Sequence, residues 1–165
     1  MWVPLILGLV AVQRMGELVL ARRNTARLIA AGAVEIGAGH YPLFVLLHAS
    51  WLAALAVLTP WTTVPNPWLI AGFVALQLAR IWVIASLGRF WTTRIITLPG
   101  APLVRRGPYR FVRHPNYWIA SLELAVLPLA FGQLWIALVW SVANALLIHH
   151  RVRVEEGALS ERNRC

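Results

Sequence analysis

The chain has 165 residues, 59% of them hydrophobic and only 13% charged, with a mean hydropathy of +0.68. That charge deficit excludes an ordinary soluble domain, and nine Trp among long aliphatic runs exclude disorder. The net charge of +9 is carried by Arg, with no Lys and no Asp, and these arginines alternate with apolar runs, which suits a membrane surface and not nucleic acid.

A membrane helix needs about 20 mostly apolar residues to cross roughly 30 Å of hydrocarbon. Residues 2–20 form the first candidate span, interrupted by Gln13, Arg14 and Glu17. With no basic stretch before it and a charged pair within it, a cleavable signal peptide is not expected. Arg14 and Glu17 share a helix face and form either a self-neutralising pair near the cytoplasmic end or part of a substrate site. Residues 41–59 form an uncharged second span, in which His48 reads better as a helix-packing residue than as a pocket residue. Residues 68–87 form the third, broken by Gln77 and by Arg80, a lone cation near the span end that snorkelling accounts for.

Residues 118–131 and 134–149 follow, separated by Gly132-Gln133 and each shorter than a standard span. They predict a tight hairpin of short or tilted helices, or a last helix that continues into the tail. Glu123 lies inside the first of these segments, where a carboxylate is costly unless it is paired or lines a polar cavity. It is therefore a functional candidate, with an acid paired to Arg purely for packing as the alternative.

Arg-rich connections (after the first span, over residues 88–117, and in the tail) alternate with connections free of charge. The positive-inside rule then gives an all-α polytopic membrane protein with about five transmembrane helices, N-terminus outside and C-terminus cytoplasmic. Trp2, Trp51, Trp61, Trp68, Trp91 and Trp118 fall near predicted span ends, as an aromatic belt requires. Arg without Lys or Asp suggests a GC-rich bacterial genome, hence a bacterial inner membrane. The single cysteine, Cys165, leaves no intramolecular disulfide and no CxxC metal site.

The most informative stretch, residues 103–123, reads LVRRGPYRFVRHPNYWIASLE. Gly107-Pro108 marks a turn, and Pro115 forces His114 out of helical geometry while itself serving as the first residue of the next helix. A helix start near the membrane surface, with Arg113 beside it, suits an anionic group such as a carboxylate or phosphate. The tail reads HHRVRVEEGALSE, with Arg151 and Glu155 on one face of a continued helix. The adjacent His149 and His150 lack further ligands at zinc spacing, so no metal site is expected. No phosphate-binding loop, GxGxxG, GxSxG or cysteine nucleophile is present.

Gly107-Pro108-Tyr109, then Arg113-His114-Pro115-Asn116-Tyr117, a short apolar hairpin and Glu155-Glu156 together resemble the isoprenylcysteine carboxyl methyltransferase family. The resemblance covers about the last 70 residues and implies an integral membrane enzyme that uses S-adenosylmethionine (SAM) to methylate a lipophilic small molecule. It implies one domain over residues 1–165, with three spans in 1–88, a catalytic core in 89–165 and a cofactor pocket on the cytoplasmic side. It further implies that Leu103, Val104, Tyr109, His114, Pro115, Asn116, Tyr117 and Glu155 hold the cofactor, and that Arg151 holds a substrate carboxylate. Ile119 stands where many members have glycine. The QRMGEL, ARRN and HYPLFVLLH segments are closer to a bacterial subgroup linked to O-methylation of alkylresorcinols or alkylpyrones.

A carboxylate acceptor needs only positioning by Arg151, whereas a phenol or hydroxypyrone needs a base or a cation that favours the oxyanion. Glu123 or His114 suits the first task, and Arg94, Arg113 or Arg151 the second. A non-catalytic membrane subunit, a phospholipid methyltransferase and a sterol-reductase-like enzyme are the alternatives. Membrane lipids are the expected surroundings, and the oligomeric state is open.

Overall fold

The computed structural model describes residues 1–36, 39, 41–101 and 104–162, with side chains as far as residue 153. Leu103 and the side chain of Glu155 lie outside the described residues. Among the described residues, five α-helices make up most of the structure: α1 Trp2–Ala30, α2 Tyr41–Leu58, α3 Pro67–Leu87, α4 Pro115–Ala130 and α5 Leu134–Arg162. Among the described residues, α1, α2 and α3 with its 3₁₀ extension to Phe90 are long and apolar enough to cross a membrane. α4, with 16 residues, reaches about 24 Å and falls short, as its sequence predicts. α5 takes the second of the two expected courses, running without a break through His149-His150 into the Arg-rich tail.

Local chemistry sets the helix ends. Asn66 caps α3, its Oδ1 accepting from the N–H of Trp68 at 3.0 Å and of Leu69 at 3.3 Å, and Pro67 follows as the first helical residue. Pro115 starts α4, leaving His114 as the non-helical cap residue (φ −127°, ψ 61°). Gly132, at φ +74°, turns α4 into α5.

The chain is mostly helical, as expected, with one small addition: a two-stranded antiparallel ribbon, β1 Val34–Ile36 with β2 Ile95–Thr97, in which Glu35 pairs with Ile96. It is clamped by Arg94 Nη1, which lies 3.0 and 2.9 Å from the two Glu35 carboxylate oxygens while its guanidinium stacks over the Tyr41 ring.

α4 packs between α3 and α5, and α2 lies against α5 and α1. One apolar cluster (Val3, Leu7 and Val10 of α1; Leu47, Trp51 and Leu55 of α2; Phe73; Leu124 and Leu127) fills the end that holds the α4–α5 turn. A smaller one (Ala21, Val83, Trp91, Ile119) fills the end that holds the ribbon. Between them, at the level of Arg14, Arg80 and Glu123, runs a polar layer. Leu9, Trp68, Trp118, Leu138 and Leu146 are exposed on the outer surface, the inverse of a soluble bundle and what hydrocarbon surroundings require. The tryptophan belt needs correction at two positions, because Trp51 and Trp91 are core residues, 1% and 2% exposed.

Candidate active site

Three helices contribute the polar layer. Arg80 of α3 donates from Nε and Nη2 to Glu17 Oε1 and Oε2, both at 2.7 Å, and from Nη1 to Glu123 Oε2 at 3.1 Å. Arg14 of α1 donates from Nη1 to Glu17 Oε2 at 3.0 Å and from Nη2 to Glu123 Oε2 at 2.6 Å. Gln77 donates to Glu123 Oε1 at 2.8 Å, and Gln13 joins Glu17 to Gln77 at 3.1 and 2.7 Å. Two guanidinium groups and two carboxylates cancel, so no net charge is buried. Snorkelling is therefore the wrong account of Arg80, which is 7% exposed and turned into the bundle.

Two cavities meet beside this layer, at the ribbon end. The smaller, about 150 Å³, is polar and lies over the start of α4, lined by Thr92, Arg94, Tyr109, Arg113 and His114 among others. The larger, about 360 Å³, runs down between α1, α2, α4 and α5 and is walled mainly by apolar and aromatic side chains, including Met15, Phe44, Val45, Leu52 and Ile148. Met15 of α1 and Val45 of α2, both on its lining, are exposed. Trp91, Thr92, Asn116, Tyr117 and Arg151 line both cavities and form their common wall.

Arg151 is the best-fixed group of that wall. Its Nε donates to the Tyr117 hydroxyl at 2.8 Å and its Nη2 to the Thr93 carbonyl at 2.9 Å, and its guanidinium lies over the Phe44 and Tyr117 rings. His114 stacks on Tyr117 with ring centroids 5.3 Å apart. Three polar atoms at or near the wall are buried without a hydrogen-bond partner: Asn116 Oδ1, Trp91 Nε1 and, on the larger cavity, Arg14 Nε. Unsatisfied buried groups are rare in folded proteins; three others among the described residues, Trp51 Nε1, Thr59 Oγ1 and Ser141 Oγ, lie away from both cavities.

The structure thus brings Tyr109, Arg113, His114, Asn116, Tyr117 and Arg151 to one place. Pro115 is buried beneath them as the start of α4, and Val104, half-buried, lines neither cavity. Glu123 is 1% exposed, lines neither cavity, and has both oxygens engaged. That burial removes it from the position a general base would occupy. His48, expected in helix packing, lines the larger cavity, with Nδ1 2.9 Å from the Phe44 carbonyl. Sequence reasoning missed Thr93 and Asn144 altogether and read Trp91 only as a belt residue. Trp91 is held by Asn24, whose amide donates to its carbonyl at 2.9 Å, and Asn144 donates to Ser121 at 2.9 Å. An asparagine inside an apolar segment is the signal that points to Asn144.

The site is thus a polar pocket at a helix start adjoining an apolar chamber inside a helical bundle. The sequence model of the Isoprenylcysteine carboxyl methyltransferase (ICMT) family matches residues 68–161, more than half of the chain, and the protein belongs to that family of membrane methyltransferases. Over 161 residues it is 34% identical to the uncharacterized protein YpbQ of Bacillus subtilis, covering 95% of this chain and 96% of that one. An uncharacterized protein of Haemophilus influenzae is 30% identical over 152 residues, covering 89% of this chain and 88% of that one. No solved structure matches the chain significantly.

Proposed function

We propose that the protein is a SAM-dependent O-methyltransferase acting on a lipophilic acceptor at the membrane interface. The observation that carries this reading is the common wall, where a polar and an apolar cavity meet at Asn116, Tyr117 and Arg151. A water-soluble cofactor and a greasy acceptor need such a junction, because each dissolves where the other does not.

The residues present fit the cofactor. Asn116 Oδ1 is a buried acceptor without a partner, as an α-ammonium group requires, and the start of α4 with Arg113 suits a carboxylate. Tyr109, His114 and Tyr117 offer aromatic surface to a cationic sulfur or a flat base. Val104, Pro115, Leu103 and Glu155 complete the set that the family resemblance implies. SAM supplies a methyl group on a sulfonium whose leaving thioether is neutral, so little activation is needed. The chain's own task is to exclude water and align the acceptor oxygen. Arg151, fixed by Tyr117 and Thr93, orients that oxygen, and Glu123 keeps Arg14 and Arg80 in place behind the chamber.

In this reading residues 1–165 are one domain with five spans, and the N-terminus lies outside a bacterial inner membrane. The Arg-rich ribbon end faces the cytoplasm, where SAM is made. The acceptor enters from the bilayer between α1 and α2.

Calorimetric titration of S-adenosylhomocysteine (SAH) into the detergent-purified protein tests the cofactor reading. Saturable binding, weakened in Asn116→Leu and Glu155→Ala, is the expected result. No binding to a well-folded wild-type chain overturns it.

A further inference from the structure

The basic end of the chain is short of counterions. Glu35 and Glu123 are consecutive acids in the sequence, so residues 36–122 hold no carboxylate at all. Among the described side chains every glutamate is already taken, Glu17 and Glu123 by Arg14 and Arg80, and Glu35 by Arg94. Arg105, Arg110 and Arg113 are exposed and have neither an ion pair nor a side-chain hydrogen bond among the described residues. Arginine keeps its charge at any working pH, so these groups draw their anions from outside that set.

Between Arg110 and Arg113 stands an apolar pair that water does not favour. Phe111 is 79% exposed and Val112 41%, and the backbone N–H of each donates to the Pro108 carbonyl at 3.1 Å, which closes the turn. Two exposed tryptophans flank the same turn. A Cβ at residue 107 would lie 3.3 Å from Trp82 Nε1 of α3, and Trp118 stands in the first turn of α4. Exposed indoles of this kind sit at the headgroup level of a bilayer. Cations beside an apolar tip at that level match an anionic phospholipid, which offers phosphate to the arginines and an acyl chain to the phenyl ring.

This turn also carries part of the wall of the polar cavity. Tyr109 comes just before the apolar pair and Arg113 and His114 just after it, and all three line that cavity. Arg106 pins one side of the turn to the Ser86 carbonyl of α3, and Pro115 starts α4 on the other. Whatever holds Phe111 and Val112 therefore acts on Tyr109 and His114 within three residues. We propose that residues 105–113 dock on anionic phospholipid headgroups, with Phe111 and Val112 in the acyl region, and that this docking tightens the polar cavity around its ligand. The coupling rests on the cofactor reading above, whereas the docking does not.

The test places the full-length protein in nanodiscs of phosphatidylcholine, alone or mixed with phosphatidylglycerol. A nitroxide attached to Val112→Cys, in a Cys165→Ser chain, reports depth. In the mixed discs it is expected to meet lipid-soluble oxygen and to be shielded from an aqueous nickel complex. Calorimetry with SAH reads the coupling, because SAH has no net charge at neutral pH and is not concentrated by an anionic surface. Phosphatidylglycerol is expected to raise SAH affinity by at least about fivefold, the low end for coupled sites, and high salt to remove the gain. The variant Arg105→Gln/Arg110→Gln/Phe111→Ser keeps the affinity seen in phosphatidylcholine and loses the gain. Inorganic phosphate added to phosphatidylcholine discs gives no gain, because it supplies the anion without the acyl chain.

A nitroxide open to the nickel complex, or equal SAH affinity in the two kinds of disc, overturns the proposal and leaves the cofactor reading intact. A full gain from inorganic phosphate, or one that survives in the triple variant, overturns it as well, by assigning the effect to a soluble anion or to bulk surface charge. A wild-type chain that binds no SAH in either disc overturns the cofactor reading and the coupling with it, and the nitroxide then decides the docking alone.

Discussion

Removing Arg80 would strip Glu17 of two hydrogen bonds and Glu123 of one. Breaking a buried ion pair from one side costs roughly 3–5 kcal/mol, so Arg80→Met is expected to lower the detergent melting temperature sharply. Adding Glu17→Gln to that variant restores charge balance and recovers part of the loss, which thermal unfolding of the single and double variants reads directly. Arg151 makes a different prediction. Lysine cannot reproduce its two directed N–H contacts, so Arg151→Lys loses at least about tenfold in turnover, the equivalent of one charge-assisted hydrogen bond of about 1.5 kcal/mol, with SAH affinity kept. The members of the polar layer stand in the sequence at helical spacing (Gln13, Arg14, Glu17; Gln77, Arg80), and with Glu123 their formal charges sum to zero. What no local pattern reveals is the pairing itself, across 109 residues from Arg14 to Glu123 and 63 from Glu17 to Arg80. Taken alone, Arg80 looked like a snorkelling cation for that reason.

Each element keeps its place through its ends. The 3₁₀ turn Gly107–Arg110 docks on α3 because Gly107, at φ +57°, brings backbone against Ser86, and Arg106 Nε donates to the Ser86 carbonyl at 2.7 Å. A Cβ on residue 107 would lie 2.1 Å from Ser86 Oγ and 3.0 Å from Ser86 Cβ. Gly107→Ala is therefore expected to cost at least about 1–2 kcal/mol from the left-handed backbone alone, and to weaken SAH binding by displacing Tyr109. Asn66→Ala, at the opposite end of α3, removes a helix cap worth about 1 kcal/mol and leaves SAH affinity unchanged. Thermal melts and calorimetry on the pair separate the two effects. The start of α4 was legible because proline acts locally, whereas the ribbon was not: three-residue strands about 60 residues apart carry no periodic signal. α1 overran its expected end at residue 20 because apolarity fades there while helix-breaking chemistry waits until Gly32, at φ +90°.

At the scale of the whole molecule, loop charge and bundle geometry agree on one basic end. The Arg-rich connections, the ribbon and the polar cavity share it, and the charge-free connections close the other end, where Asn66 N–H donates to the Ala130 carbonyl at 2.8 Å. Cys165, the sole cysteine, turns the proposed topology into a labelling experiment. A membrane-impermeant maleimide should spare it in intact cells and modify it in inverted vesicles; the reverse pattern would place the basic end outside and separate the polar cavity from cytoplasmic SAM. The central claim is that the two cavities serve one reaction at their common wall. Transfer of label from [methyl-³H]SAM into the organic extract of membranes holding the wild-type chain measures it most directly. Extractable label that depends on the protein and falls to background in Asn116→Leu is the predicted result, and no label above background with a wild-type chain that binds SAH would contradict it.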